Sequence, residues 1–461
     1  MFFSAGMSFK NLPVDKLSSP LNNVWRVFTL VCLVSGVFLL LYLNQDAALF
    51  IPASTTQHPP DPLSLETNLT LEKAPMPIKE NLTLEDLSDT LAIQKNETSR
   101  MDDGKGTGEN DTCDVSDGRW VYDPINSPAY NATDCPFLSD QVNCQRNGRP
   151  DSDYERWHWE GSHCQIPRMN MTDMLERLRG KRVVIAGDSL NRNQFESFAC
   201  LLYSSIPSTD SYVDVRGGDY KIFRAKSYNC SVEFYWAPFL VEMDQKGRDG
   251  IRTLKLDQIH PSANNWKGAN VMVFNSGHWW IHKGKFKAWD VIQYEGKKME
   301  NMGMELAFEK AIKTWSTWID QNVDSSTTTV FFRSISPEHK GKDWCFQQTQ
   351  PLTDESYTET FPRSIREIIK NSTRSMRTPV KYLNITKLAE YRIDAHPMIY
   401  TTKHGVLLTG DQRKQPKTYA DCSHWCIPGV PDTWNRLVYA HLVFDQFGAN
   451  STSLKPSDSA Q

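Results

Sequence analysis

The sequence predicts an α/β fold. A mostly parallel sheet with flanking helices follows a small Cys-rich, disulfide-stapled segment and one N-terminal transmembrane helix. Three observations carry that prediction. From Pro167 onward, short β-branched or aromatic runs alternate with stretches of helical period. Four cysteines crowd the stretch just before it. An uncharged apolar run stands near the N-terminus behind a basic flank. With 461 residues the chain can build one large domain or two modest ones.

Residues 1–26 carry Lys10, Lys16 and Arg26 against Asp15, whereas Val27–Leu43 holds no charge. As a helix, residues 27–43 span roughly 26 Å at 1.5 Å per residue, which suits a thin early-secretory bilayer. The positive-inside rule places 1–26 in the cytosol and the rest in the lumen. This gives a single-pass type II protein with 27–43 as an uncleaved signal-anchor. A cleavable signal peptide, cut near Ala47-Ala48, is the competing reading. Residues 44–111, with Pro52, Pro59, Pro60, Pro62, Pro75 and Pro77 among Ser, Thr and acidic residues, read as a disordered lumenal stem. The polar stretch 449–461 reads as a disordered tail. Glycosylation sequons begin only after the apolar run, at Asn68, and continue through Asn131, Asn170, Asn229, Asn371 and Asn384 to Asn450, which agrees with a lumenal chain.

Cys113, Cys135, Cys144 and Cys164 lie in 112–166, and Cys200, Cys230, Cys345, Cys422 and Cys426 follow. No CxxC pair occurs, so disulfides in an oxidising lumen are expected rather than a metal site. The odd number leaves at least one thiol free or pairing between chains, and Cys230 is the expected one. Segment 112–166 is too small to fold alone and should be stapled onto the α/β region, 167–448. In that region strands are expected at Arg182–Ala186, Val232–Trp236, Asn270–Phe274 and Thr329–Arg333. Helices are expected at Met169–Arg179, Leu190–Tyr203, Met304–Asp320 and Ser364–Ile369, with another from about Thr433. Such alternation puts an active site at the C-terminal edge of a parallel sheet.

The net charge of −4 argues against a nucleic-acid partner. Fourteen Trp suit a surface that stacks on sugar rings, and equally an aromatic-rich core. The chemistry gathers in two stretches. In Lys181–Cys200, a buried strand ends at Gly187-Asp188-Ser189 and a helix begins. Ser189 then sits where free backbone N–H groups can hold an oxyanion, and Gly187 lets the chain turn without a Cβ in the way. In Asp421–Asn435, Asp421 and His424 are three residues apart, so the carboxylate can fix one imidazole nitrogen and free the other as a base. A Ser hydroxyl needs such a base to attack at neutral pH. Oxidised Cys422 and Cys426 would pin that loop. Asp394-Ala-His396 is a weaker rival pair. His158, His163, His278 and His339 have no metal-ligand spacing and read as structural.

The stretches GDSLNRNQFES, DCSHWCIPGVPDTWN and CDVSDGRWVYD…NCQRNGRPDSDY resemble the plant trichome birefringence-like family over roughly 112–447. That resemblance implies a Cys-rich N-terminal domain followed by a PC-esterase domain of the SGNH-hydrolase-like type. It also implies a Golgi enzyme that moves acetyl groups onto hydroxyls of cell-wall polysaccharides. The family's nucleophile falls on Ser189, and its Asp-x-x-His falls on Asp421 and His424. Asn275, after the strand ending at Phe274, resembles the side-chain oxyanion donor of SGNH enzymes, and Arg192 matches the family motif one helical turn beyond Ser189. The expected function is therefore O-acetyl transfer through an acetyl-serine. It needs an acetyl donor, no resident cofactor, and xylan, mannan, xyloglucan or pectin as acceptor. An acetylesterase with the same triad, or a non-catalytic wall-polymer binding protein, is the alternative.

Overall fold

The four runs expected as strands lie side by side. The computed structural model describes residues 113–453, apart from 217–218, 246–249 and 354–360. It begins with an antiparallel pair, β1 (Gly118–Tyr122) and β2 (Trp157–Gly161), inside the Cys-rich stretch. Helix α1 (Met171–Arg177), β3 (Arg182–Gly187) and α2 (Ser189–Tyr203) follow. Next come β4 (Ser211–Arg216), β5 (Tyr220–Ala225), β6 (Cys230–Trp236), β7 (Val241–Asp244), β8 (Thr253–Ile259) and β9 (Val271–Phe274). The remainder is β10 (Val291–Tyr294), β11 (Lys297–Met299), α3 (Met304–Asn322), β12 (Thr329–Arg333), α4 (Arg363–Arg374), β13 (Val380–Leu383) and α5 (Val430–Ser453).

A seven-stranded sheet in the order β13-β12-β9-β3-β6-β5-β4 forms the centre. Strands β13 to β6 are mutually parallel, and β5 and β4 continue as an antiparallel edge. Strand β3 is apolar and buried from Val183 on because both of its faces are covered. Alternate side chains take opposite sides. Val183 and Ile185 pack with Phe195, Phe198, Leu202, Trp434 and Leu437 of α2 and α5. Val184 and Ala186 pack with Phe308, Ile312, Trp315, Ile365 and Ile369 of α3 and α4. A second, four-stranded sheet, β11-β10-β8-β7, was not anticipated.

The expected cytosolic tail, membrane segment and stem lie outside the described residues. Among the described residues no helix is long and apolar enough to cross a membrane. Helix α5 runs to Ser453 and so takes in the first part of the expected 449–461 tail. The Cys-rich segment is joined to the α/β region by Cys135–Cys200 and Cys144–Cys426, and closes on itself through Cys113–Cys164. Cys422 pairs with Cys345, and Cys230 is free and buried. Cys422 and Cys426 thus pin their loop to two different parts of the chain.

Candidate active site

Strand β3 delivers its C-terminal end into a turn that admits no side chain at Gly187. A Cβ there would overlap Asn275 Oδ1 and lie 2.8 Å from the Asn275 carbonyl oxygen. Asp188 caps α2, its Oδ1 accepting from the Leu190 N–H at 2.9 Å, and Ser189 becomes the first helical residue. Ser189 is half-buried at the sheet's C-terminal edge. The first N–H groups of α2 have no partner within the helix, as at any helix start.

Asn275 follows β9 and reaches the same turn. Its Oδ1 accepts from the Asp188 N–H at 3.1 Å, and its Nδ2 donates to Asp188 Oδ1 at 2.8 Å. One Nδ2 hydrogen is thereby spent on holding the turn, and an amide carries two.

The loop after α4 and β13 brings in the second half. His424 Nδ1 lies 2.7 Å from Asp421 Oδ2, and Asp421 Oδ1 accepts from the backbone N–H groups of Ser423 and His424 at 3.0 Å. Burial pushes the Asp421 carboxyl up, but the His424 imidazole and these N–H donors outweigh it and hold the carboxyl far below the usual range. With the carboxylate ionised, the proton of His424 belongs on Nδ1 and the Nε2 lone pair is left open. Nε2 is buried and has no hydrogen-bond partner among the described residues.

The link between the two halves is Asn193, one helical turn beyond Ser189. Its Nδ2 donates to the Trp425 carbonyl at 3.1 Å, and its Oδ1 accepts from the Trp425 N–H at 2.9 Å. The residue next to His424 is thus bolted at both backbone groups to the helix that Ser189 starts. His396 Nδ1 bonds the His424 carbonyl at 2.7 Å, and its Nε2 bonds His339 Nδ1 at 2.7 Å. Asp394 pairs instead with Arg392, so the rival Asp394–His396 dyad does not form.

Arg192 donates from Nη2 to Gln141 Oε1 at 2.6 Å. Gln141 Nε2 in turn stands 3.5 Å from Asp421 Oδ2 and 3.3 Å from His424 Nδ1. Because Nδ1 carries its proton toward Asp421, the carboxylate is the group that can accept from this amide. Sequence reasoning missed Gln141, which comes from the Cys-rich segment and has no spacing relation to the loop it supports. Asn193 had a signal, the i, i+4 step from Ser189 on one helix face.

Beside the turn opens a groove of about 740 Å³ lined by Tyr220, Tyr235, Trp236, Phe239 and Trp279 among others. Trp236 is paired in register with Gly187, so the groove begins one strand away from Ser189. Trp236 and Trp279 meet edge to face at 5.4 Å. Trp280 turns the other way, into the core. Among the described residues no cluster of His, Cys, Asp or Glu could hold a metal ion.

Residues 166–441 match PC-Esterase, a GDSL/SGNH-like acyl-esterase family found in Pmr5 and Cas1p, and residues 111–165 match the PMR5 N terminal domain. A probable xylan O-acetyltransferase 8 of Oryza sativa subsp. japonica is 43% identical over 345 residues, covering 72% of this chain and 78% of the relative. Protein trichome birefringence-like 3 of Arabidopsis thaliana is 40% identical over 344 residues, 72% of this chain and 79% of the relative. Xylan O-acetyltransferase 6 of Oryza sativa subsp. japonica is 40% identical over 354 residues, 72% of this chain and 63% of the relative.

Proposed function

Because the chain belongs to the trichome birefringence-like, PC-esterase family, we propose that it is a polysaccharide O-acetyltransferase with Ser189 as nucleophile, His424 as base and Asp421 as its orienting carboxylate. The observation that carries the reading is the Asp421–His424 pair with its open Nε2, on a loop that Asn193 fastens to the helix of Ser189.

The reaction is a double displacement. Ser189 Oγ attacks the acetyl carbonyl of the donor and passes its proton to His424 Nε2. The tetrahedral oxyanion is held by backbone N–H groups at the start of α2 and by the second Nδ2 hydrogen of Asn275. His424 then protonates the departing group, leaving acetyl-Ser189. A sugar hydroxyl lying against Trp236 and Trp279 gives its proton to Nε2, attacks the ester and leaves acetylated, and His424 returns the proton to Ser189. The imidazolium formed at each step faces the Asp421 carboxylate, which stabilises it. Arg192 acts by fixing Gln141 against that carboxylate.

The acceptor is a cell-wall polysaccharide, with xylan first because two of the relatives above are named for it. Mannan, xyloglucan and pectin complete the panel to be tried. The sequence pattern of 1–43 supports a type II membrane protein with the catalytic region in the lumen, and the family resemblance points to the Golgi. No resident metal or cofactor is needed. The test is to incubate the chain with an acetyl donor and unacetylated oligosaccharides of each class, and to read acetylation by mass. Wild type should acetylate at least one acceptor, and Ser189→Ala should lose nearly all transfer while melting within a few degrees of wild type. A fully active Ser189→Ala would reject the mechanism. Donor hydrolysis without transfer to any acceptor would make the chain an esterase.

A further inference from the structure

His278 sits three residues beyond Asn275, at the same edge of the sheet as Ser189. Its side chain is 9% exposed, and its Nδ1 lies 3.8 Å from Asp188 Oδ2, itself 1% exposed. That is too long for a hydrogen bond, and close enough for the carboxylate to favour the proton on Nδ1. Asp188 is the residue before Ser189, and its other oxygen is fully used by Leu190 and Asn275. The opposite nitrogen, His278 Nε2, is buried and has no hydrogen-bond partner among the described residues. Phe361 meets the ring edge to face at 4.4 Å. Burial holds the imidazole below its ordinary pKa and therefore neutral, against the opposing pull of Asp188. A buried acceptor without a donor calls for an explanation, and a ligand hydroxyl is one donor that could supply it. The next residue, Trp279, lines the aromatic groove.

Two imidazoles with unpartnered Nε2 atoms thus stand in the structure, His424 on its loop and His278 beyond β9. An attacking hydroxyl has a single hydrogen, and His424 takes it. A second acceptor nitrogen can therefore hold only a different hydroxyl. We propose that His278 is a specificity-determining residue of the acceptor site, whose Nε2 accepts a hydrogen bond from the hydroxyl adjacent to the one acetylated by acetyl-Ser189. The enzyme then selects vicinal diols, because the grip on one hydroxyl aims its neighbour at the acetyl carbon. This rests on the transferase reading above.

The test uses the full chain with an acetyl donor, xylo-oligosaccharides, and matched acceptors in which either hydroxyl of each vicinal pair is replaced by hydrogen. Wild type should favour the diol by about tenfold in kcat/KM, the worth of one well-made hydrogen bond. His278→Phe, which keeps ring packing against Phe361, should bring the diol down to the level of the deoxy acceptor and so abolish the preference. His278→Gln, which retains an acceptor oxygen, should restore part of it. A merely structural role for His278 lowers both acceptors together and leaves their ratio intact, which would overturn the inference. Equal use of diol and deoxy acceptors by wild type overturns it without any variant, should the substitutions fail to fold. If wild type acetylates neither these acceptors nor mannan, xyloglucan and pectin oligosaccharides, the transferase reading fails and takes this inference with it. Transfer with an unchanged ratio in His278→Phe removes this inference alone.

Discussion

Asn193→Ala isolates the contact that joins the two halves of the site. Asn193 is 2% exposed and Trp425 is wholly buried, so the substitution strands a buried N–H and a buried carbonyl. Each such group costs roughly 1–3 kcal/mol when left unmade, or about 2–6 kcal/mol for the pair if the loop stays in place. The loop has an alternative, which is to move. Cys144–Cys426 and Cys345–Cys422 still tether it on either side of His424, so the domain should remain folded while the base drifts. A displacement near 1 Å costs on the order of 100-fold in rate. The expected outcome is a fall of about that size in kcat with little change in acceptor KM, and a melting temperature lowered by several degrees. Asn193→Asp keeps the acceptor for the Trp425 N–H but sets a carboxylate against the Trp425 carbonyl, so it should rescue little. Steady-state acetyl transfer and thermal melting on the same preparations decide the matter. Wild-type kcat in Asn193→Ala would show that the clamp does not position His424.

Three further outcomes follow from the geometry. Gly187→Ala drives a Cβ into Asn275, and neither the strand end nor the buried amide can yield, so the variant should lose on the order of 3 kcal/mol in a denaturant melt or fail to fold; an unchanged melt would refute the tight turn. Burial lowers His441 to about 4 and raises Asp432 to about 6, so their contributions to stability run oppositely with pH. The His441 contribution is full above its ordinary 6.5 and is lost as pH falls toward 4, so His441→Phe should gain on wild type in melting temperature over that descent. The Asp432 contribution is full below its ordinary 3.8 and is lost as pH rises through about 6, so Asp432→Asn should gain on wild type over that ascent; parallel melting curves for either variant would contradict the assignment.

Much of this arrangement was legible because it is local. The run Val183–Ala186 is continuous and β-branched, and the four strands read this way form adjacent members of the central sheet. Helix α3 showed its apolar stripe at Phe308, Ala311, Ile312, Trp315 and Ile319, and those side chains are buried. Strand β8 was missed although Leu254 and Leu256 alternate with polar residues. Its lysine and aspartate gave the stretch a loop-like composition, and its partners β7 and β10 are short. The Asp421–His424 pair was readable from a three-residue spacing. Its partners Asn193 and Gln141 act across 232 and 283 residues of chain, and no local pattern encodes contacts of that kind. His278 was read as structural because it has no sequence partner. Its neighbour Asp188 comes from another strand end, and only the sheet's register brings them together.

The long-range contacts also alter what the Cys-rich segment is for. Sequence reasoning treated 112–166 as a piece too small to fold alone and therefore stapled to a complete domain. The staples are at the site itself. Cys135 fastens the segment to Cys200 on α2, the helix that Ser189 begins, and Cys144 fastens it to Cys426, two residues past His424. Between those cysteines lies Gln141, bonded to Arg192 on one side and facing the Asp421 carboxylate on the other. Arg149 adds bonds to the carbonyls of Asp394 and His396, and His396 holds the His424 carbonyl. Each of these connections ends on α2 or on the elements that hold His424. Losing the segment would therefore expose the Asp421–His424 pair to solvent and free the loop, while the buried central sheet kept its cover of α2, α3, α4 and α5. The two matched regions, 111–165 and 166–441, thus share one site, in which the smaller braces the Asp421–His424 loop of the larger.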